Sequence, residues 1–137
     1  MKTRDEIAEN WLFRYTGVRA DQMGKYILLT NFNQYVTLFS QKFGSVIFGH
    51  DRVMPASTHE NISIVNFGMG SANAATIMDL LSSVKPKAVL FLGKCGGLKK
   101  INRVGDLILP IAAIRGEGTS NDYFPCLLYT SPSPRDS

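Results

Sequence analysis

The apolar run Ala88-Val89-Leu90-Phe91-Leu92 passes without interruption into Gly93-Lys94-Cys95-Gly96-Gly97. Consecutive apolar residues without alternation predict a strand covered on both faces, the habit of a parallel sheet flanked by helices. The glycines that follow replace side chains with bare backbone. Gly93, Gly96 and Gly97 can adopt positive φ and let a ligand approach the main chain closely. In open α/β sheets, ligands bind in the crevice beyond the carboxyl ends of the strands. Gly93 to Gly97 are therefore read as the floor of a small-molecule site.

The rest of the chain alternates in a way that suits such a sheet. Ile7, Ala8, Trp11 and Leu12 fall on one face of a helix predicted over Asp5–Phe13, with Asp5 and Glu6 at its favourable end. Lys25–Thr30 is an aliphatic strand, and Asn31-Phe32-Asn33 a tight turn. Tyr35, Leu38, Phe39 and Phe43 mark an amphipathic helix over Asn33–Phe43, stopped by Gly44. Val46–Phe48 is a short strand, the segment to Glu60 a polar loop, and Ile62–Phe67 a strand. The turn Gly68-Met69-Gly70-Ser71 leads into a helix over Ala72–Val84, with Ala74, Ile77, Met78 and Leu81 facing inward and Pro86 beyond its end. Val104–Ile114 reads as a further extended stretch in which Pro110 marks an edge or a bulge. Arg115–Tyr123 is a polar loop. The order is that of a layered α/β fold with a largely parallel sheet.

Composition sets outer limits. With 137 residues the chain is one domain at most, and 45% hydrophobic against 19% charged residues is globular. No apolar run has the length of a membrane span, and Met1–Asn10 lacks a signal-peptide core, which gives a cytoplasmic location as the expectation. The net charge of +4 is modest. Lys85, Lys87, Lys94, Lys99, Lys100 and Arg103 gather around the glycine loop, which suits an anionic small ligand or, equally, a solvated basic rim. Basic and aromatic residues do not interleave along one face, so nucleic acid is not an expected partner. Cys95 and Cys126 share no metal-ligand spacing with each other or with His50 or His59, so neither a metal nor a cofactor is expected. Both histidines read as solvated loop residues. Cys126-Leu127-Leu128-Tyr129-Thr130-Ser131-Pro132-Ser133-Pro134-Arg135-Asp136 reads as the translation of an adapter used in DNA library preparation. Residues 126–137 are accordingly expected to be a non-native tail, and 1–125 the native part, a truncated fragment.

Several residues can carry binding chemistry. Gly68-Met69-Gly70 puts backbone N–H groups and a helix start at a strand end, suited to an anion or a ribose hydroxyl, or to nothing more than a turn. The spacing differs from the dinucleotide fingerprint, because Asn73 stands where a glycine is required, and no Walker motif exists. Lys94 can meet a phosphate as a point charge or stand at the surface. Cys95 has no nearby histidine to activate it and is better read as a packed or ligand-touching thiol. Arg115, Glu117, Thr119, Ser120, Asp122 and Tyr123 form a polar loop able to reach a substrate.

The succession Gly68-Met69-Gly70, Gly93-x-Cys95-Gly96-Gly97-Leu98, Gly105-Asp106 and Arg115-x-Glu117-Gly118-Thr119-Ser120 resembles the nucleoside phosphorylase family. That family includes nucleoside phosphorylases, nucleosidases and AMP nucleosidases. Tyr15-Thr16-Gly17, Tyr26–Phe32, Tyr35-Val36, Gly93–Leu98 and Ile108–Tyr123 are similar to the short bacterial AMP nucleosidase branch, over essentially all of residues 1–125. The resemblance implies a three-layer α/β/α fold, of which residues 1–125 are the N-terminal part. It also implies a homo-oligomer, no cofactor, and hydrolysis of AMP to adenine and ribose 5-phosphate through an oxocarbenium-like state.

Positions carried over from the family place Met69 against the ribose, Cys95 and Gly96 beside the purine, and Gly93 and Lys94 near the ribose and phosphate. Asn31, Gly70, Arg115 and Glu117 complete the expected substrate-binding set. The aspartate that protonates the leaving purine and the Met-Glu pair that holds the ribose fall beyond residue 125, so the chain itself is expected to be inactive. Phosphorylases carry an arginine where Phe91 stands and another in the turn occupied by Asn31-Phe32-Asn33-Gln34. A phosphate nucleophile needs such cations, so their absence favours water. Arg14, Arg52 and Arg115 are further candidates for the 5′-phosphate. The alternatives are a nucleoside phosphorylase or other nucleosidase, a non-catalytic nucleotide-binding fragment, and a chain whose exposed sheet edge drives aggregation.

Overall fold

The computed structural model describes residues 2–114, 116–123 and 128–130. They fall into two compact units, one ending at Gly93 and the other beginning at Lys94.

The first unit opens with α1, Arg4–Thr16. This helix is one residue longer at its start and three at its end than the apolar spacing predicts. Its start is fixed by a capping box: the Glu6 N–H donates to Thr3 Oγ1 at 3.2 Å, and the Thr3 N–H donates to Glu6 Oε2 at 2.7 Å. Its end is fixed by Gly17 at φ 79°, whose N–H donates to the Phe13 carbonyl at 2.8 Å. Thr16 is buried and ties the exit, its Oγ1 donating to the Leu12 carbonyl at 2.8 Å and accepting the Val18 N–H at 3.0 Å.

A five-stranded sheet follows in the order β2-β3-β4-β1-β5, with β1 Tyr26–Thr30, β2 Ile47–Phe48, β3 Ala56–His59, β4 Ile62–Asn66 and β5 Ala88–Leu92. β1 lies parallel to both β4 and β5, aligned from Tyr26 opposite Ile62 and Ala88 to Thr30 opposite Asn66 and Leu92. The expectation of a largely parallel sheet fails on the other side, where β2 and β3 run antiparallel. The cause is the link between β3 and β4, just Glu60 and Asn61, which is too short for a crossover. β3 itself lies where a polar loop is expected.

Helix α2, Asn33–Phe43, has the predicted bounds, and α3 runs over Ser71–Leu81. The side chains of β1 and β4 alternate between two cores. Ile27, Leu29 and Val65 join Leu12 of α1 and Ile77, Leu80 and Leu81 of α3 on one face. Ile64 and Leu28 join Val36 and Phe39 of α2 on the other. Helices on both faces of the sheet make the three-layer α/β/α arrangement. Several residues expected to face inward do not: Ile7, Trp11, Leu38 and Met78 are exposed, while Thr16, Val36 and Leu80 take inner positions. Thr16 can do so because its hydroxyl is satisfied by backbone.

β5 also departs from expectation. It is an edge strand, not one covered on both faces: Leu90 is 51% and Phe91 58% exposed. Helix α2 packs on β2, β3 and β4, which leaves the α2 face of β5 open.

In the second unit, the extended stretch expected over Val104–Ile114 is regular only at β6, Ala112–Ile114. Arg103–Asp106 is a turn instead, with the Asp106 N–H donating to the Arg103 carbonyl at 3.1 Å and the Arg103 N–H to Asp106 Oδ2 at 2.8 Å. Gly105 sits in it at φ 101°. β6 pairs antiparallel with β7, Leu128–Thr130, which lies inside the segment read as a non-native tail. Residues 126, 127 and 131–137 of that segment lie outside the described residues.

Candidate substrate site

Parallel pairing of β1 with β4 and β5 brings Thr30, Asn66 and Leu92 to one end of the sheet. The chain leaves β1 through Asn31 and Phe32 and enters α2 at Asn33. It leaves β4 through Phe67, Gly68 and Met69 and enters α3 from Gly70, whose φ is 93°. A cavity of about 500 Å³ opens at this end, lined by Leu29, Asn31, Phe67, Gly70, Ser71, Ala74, Met78, Val89 and Phe91. No charged side chain is among these residues. Asn31 Oδ1 is buried and has no hydrogen-bond partner among the described residues. A buried acceptor left so is uncommon and marks a place where a donor is wanted.

Two of the expected substrate-binding residues, Asn31 and Gly70, meet at this cavity. Met69 does not: it is 79% exposed and outside the lining. Its carbonyl accepts from Asn73 Nδ2 at 3.0 Å, which holds the turn against the start of α3. Gly93 ends β5, and its freedom is used for space, not for φ. A Cβ there would lie 2.8 Å from Cε1 of Phe91, so the phenylalanine ring occupies the volume of a side chain at 93. The ring also packs against Phe67, with centroids 5.8 Å apart. Positive φ occurs at Gly68 and Gly70, and at none of Gly93, Gly96 and Gly97, contrary to the expectation for the glycine loop.

Lys94, Cys95, Gly96 and Glu117 belong to the second unit. The first three are exposed, Cys95 as a free thiol. A Cβ at Gly96 would meet open space, whereas at Gly97 it would lie 2.7 Å from the Cβ of Asn102. Glu117 Oε2 accepts the Thr119 N–H at 2.7 Å and so caps the single helical turn Thr119–Asp122. Arg115 lies outside the described residues.

The other two arginines suggested for a phosphate are engaged elsewhere in the first unit. Arg52 donates from a guanidinium nitrogen to the carbonyls of Phe13 and Arg14 and lies over the Phe13 ring, 4.8 Å from its centroid. It satisfies the end of α1, where the helix dipole welcomes a cation. Arg14 lies over the Trp11 ring at 5.2 Å. Neither lines the cavity. His59, expected in a solvated loop, ends β3 and stacks on Phe43 at 4.8 Å. The lining residues that the sequence reading did not assign to a site are Leu29, Phe67, Ser71, Ala74, Met78 and Val89. Leu29 and Phe67 had a positional signal, lying at the carboxyl ends of parallel strands, and Ser71 and Ala74 lie in the first turns of α3, whereas Met78 lies further along α3 and Val89 near the start of β5.

Residues 25–135 match the Phosphorylase superfamily. The AMP nucleosidase of Escherichia coli K12 is 26% identical over an alignment covering 83% of this chain and 31% of that protein. A guanosine phosphorylase of Halorubrum lacusprofundi is 35% identical over 46% of this chain and 26% of its own length. Among solved structures, the AMP nucleosidase of Bacteroides thetaiotaomicron VPI-5482 superposes with a TM-score of 0.81 at 58% identity, over 90% of this chain and 52% of that one. The chain thus spans about half of that solved relative and about a third of the Escherichia coli protein. The match over residues 25–135 covers most of the chain, and the chain is a member of the phosphorylase superfamily.

Proposed function

We propose that this chain supplies the N-terminal part of the catalytic domain of an AMP-hydrolysing enzyme, which breaks the N-glycosidic bond of AMP to give adenine and ribose 5-phosphate. The observation that carries the reading is the uncharged cavity at the strand ends. Phosphorolysis needs a cationic seat for its phosphate nucleophile. At this end of the first unit, Phe91 and Asn31 stand in the lining and no guanidinium does. Water needs no such seat. The 58% identity to a solved AMP nucleosidase supports the same choice. The likeness to a guanosine phosphorylase favours a second reading, phosphorolysis of a nucleoside, and the lining counts against it.

In this reading Asn31 and Gly70 contact substrate, while Met69, Gly93, Lys94, Cys95, Gly96, Arg115 and Glu117 join them in the complete domain. Residues 1–125 are the N-terminal part of that domain, and 126–137 are a non-native tail. The aspartate acid comes from beyond residue 125. A cytoplasmic homo-oligomer is the assembly that goes with this reading. Among the described residues, no helix is long and apolar enough to cross a membrane.

The test is adenine release from AMP by the enzyme that carries this stretch within its whole domain, with and without inorganic phosphate. Release that does not depend on phosphate is expected, and strict dependence would replace hydrolysis by phosphorolysis. The 137-residue chain alone is expected to bind AMP and release no adenine. Turnover by that chain would overturn the assignment of the acid to a later segment.

A further inference from the structure

We infer that Asn66 is a positioning residue that locks the two cavity-forming turns to each other. The inference rests on the proposed reading of the cavity as a nucleotide site. Asn66 is the last residue of β4, opposite Thr30 of β1, and is 8% exposed. Both ends of its carboxamide are used. Nδ2 donates to Asn33 Oδ1 at 2.6 Å, and Oδ1 accepts the Gly68 N–H at 2.9 Å. Asn33 is the first residue of α2, directly after the turn that carries Asn31. Gly68 opens the turn that carries Gly70 and Ser71 into the cavity wall. One side chain therefore spans the exits of two neighbouring strands.

The backbone around Asn66 is satisfied independently. Its own N–H donates to the Pro55 carbonyl at 2.9 Å, and the Phe67 N–H donates to the Thr30 carbonyl at 3.0 Å. The Phe32 N–H donates to Thr30 Oγ1 at 3.2 Å. The strands are thus paired without the carboxamide, and what it adds is the tie between turns. Gly68 and Gly70, at φ 81° and 93°, lie in the turn that leads into the wall, and glycine there leaves the backbone without side-chain restraint. Asn73 ties the Met69 part of this turn to α3, and the amide of Asn66 ties its Gly68 end to the end of β4 and the start of α2. A carboxamide offers a donor and an acceptor together, one for each turn.

The test uses the 137-residue chain and separates stability from site geometry. AMP affinity is measured by calorimetry well below the unfolding midpoint, and Gly68 amide exchange by NMR. Asn66→Ala is expected to weaken AMP binding roughly tenfold and to raise Gly68 exchange by a similar factor, the scale of one lost buried hydrogen bond. Asn33→Asp keeps an acceptor for Nδ2 and is expected to bind like the parent, whereas Asn33→Ala is expected to weaken binding. Unchanged Gly68 exchange in Asn66→Ala overturns the lock. So does a variant that melts earlier but binds AMP as the parent does, because a merely structural asparagine would behave that way. Where the parent chain does not bind AMP, Gly68 exchange decides the lock alone, and the nucleotide reading is decided by adenine release from the complete domain.

Discussion

β1 and β5 are both five residues long, both aliphatic, and aligned residue for residue in one parallel pair. β1 is sealed: Ile27 and Leu29 are buried under α1 and α3, and Leu28 is covered by α2. β5 is open: Leu90, opposite Leu28, is half exposed, and so is Phe91, opposite Leu29. The more apolar of the two strands is the less covered, which shows that an apolar run specifies a strand, while place in the sheet specifies how far it is covered. A half-covered apolar edge is a surface that seeks company.

The widest gap between the two strands is expected in stability. Ile27→Ala should cost about 3 kcal/mol, the scale for a large aliphatic removed from a closed core. Leu90→Ala should cost about 1 kcal/mol or less, since half of its area is already in water. Urea midpoints for the two variants measure the difference. Equal losses would break the comparison and mean that β5 is covered in solution. The second expectation concerns company: Leu90→Lys should lower self-association of the chain at a given concentration, read by light scattering, while leaving the fold's circular dichroism intact. A parent chain that is already monodisperse at high concentration would remove the premise.

Smaller effects sharpen the sealed side. Thr3→Ala removes one half of the capping box on α1, the helix that brings Leu12 over β1, and should cost about 1 kcal/mol. Glu60 sits at φ 50° in the two-residue link between β3 and β4. Glu60→Gly should therefore raise stability by about 0.5 kcal/mol, relief of left-handed strain being partly offset by the extra freedom of the unfolded chain. A drop in midpoint for that variant would point to a role for the glutamate side chain.

The contrast also marks what was legible in the sequence. The bounds of α2 and β5, and the strand–turn–helix order around Gly68, followed from spacing and glycines. β3 did not, because its inner face is polar. Ser57 and Ser63 are fully buried, and their hydroxyls are satisfied side by side: Ser57 Oγ lies 2.8 Å from Ser45 Oγ, and Ser63 Oγ lies 2.7 Å from Thr58 Oγ1. Hydropathy cannot see a hydroxyl that will be paired with another across a strand. The capping box of α1 was present in the sequence as Thr3-x-x-Glu6, a signal that apolar periodicity alone passes over. At the candidate site, Asn31 and Gly70 could be named because they stand directly at strand ends. Met78 read as a core residue, and only the position of β5 at the sheet edge turned it toward a cavity. Gly93 was marked for a positive φ that it does not adopt, and the ring of Phe91 beside it is a feature the sequence does not signal.

That ring binds positions 91 and 93 into one mutational unit. A side chain at 93 requires the exposed ring at 91 to turn aside, whereas a slimmer residue at 91 would lift that demand. The rotamer at 91 and the residue at 93 are accordingly chosen together.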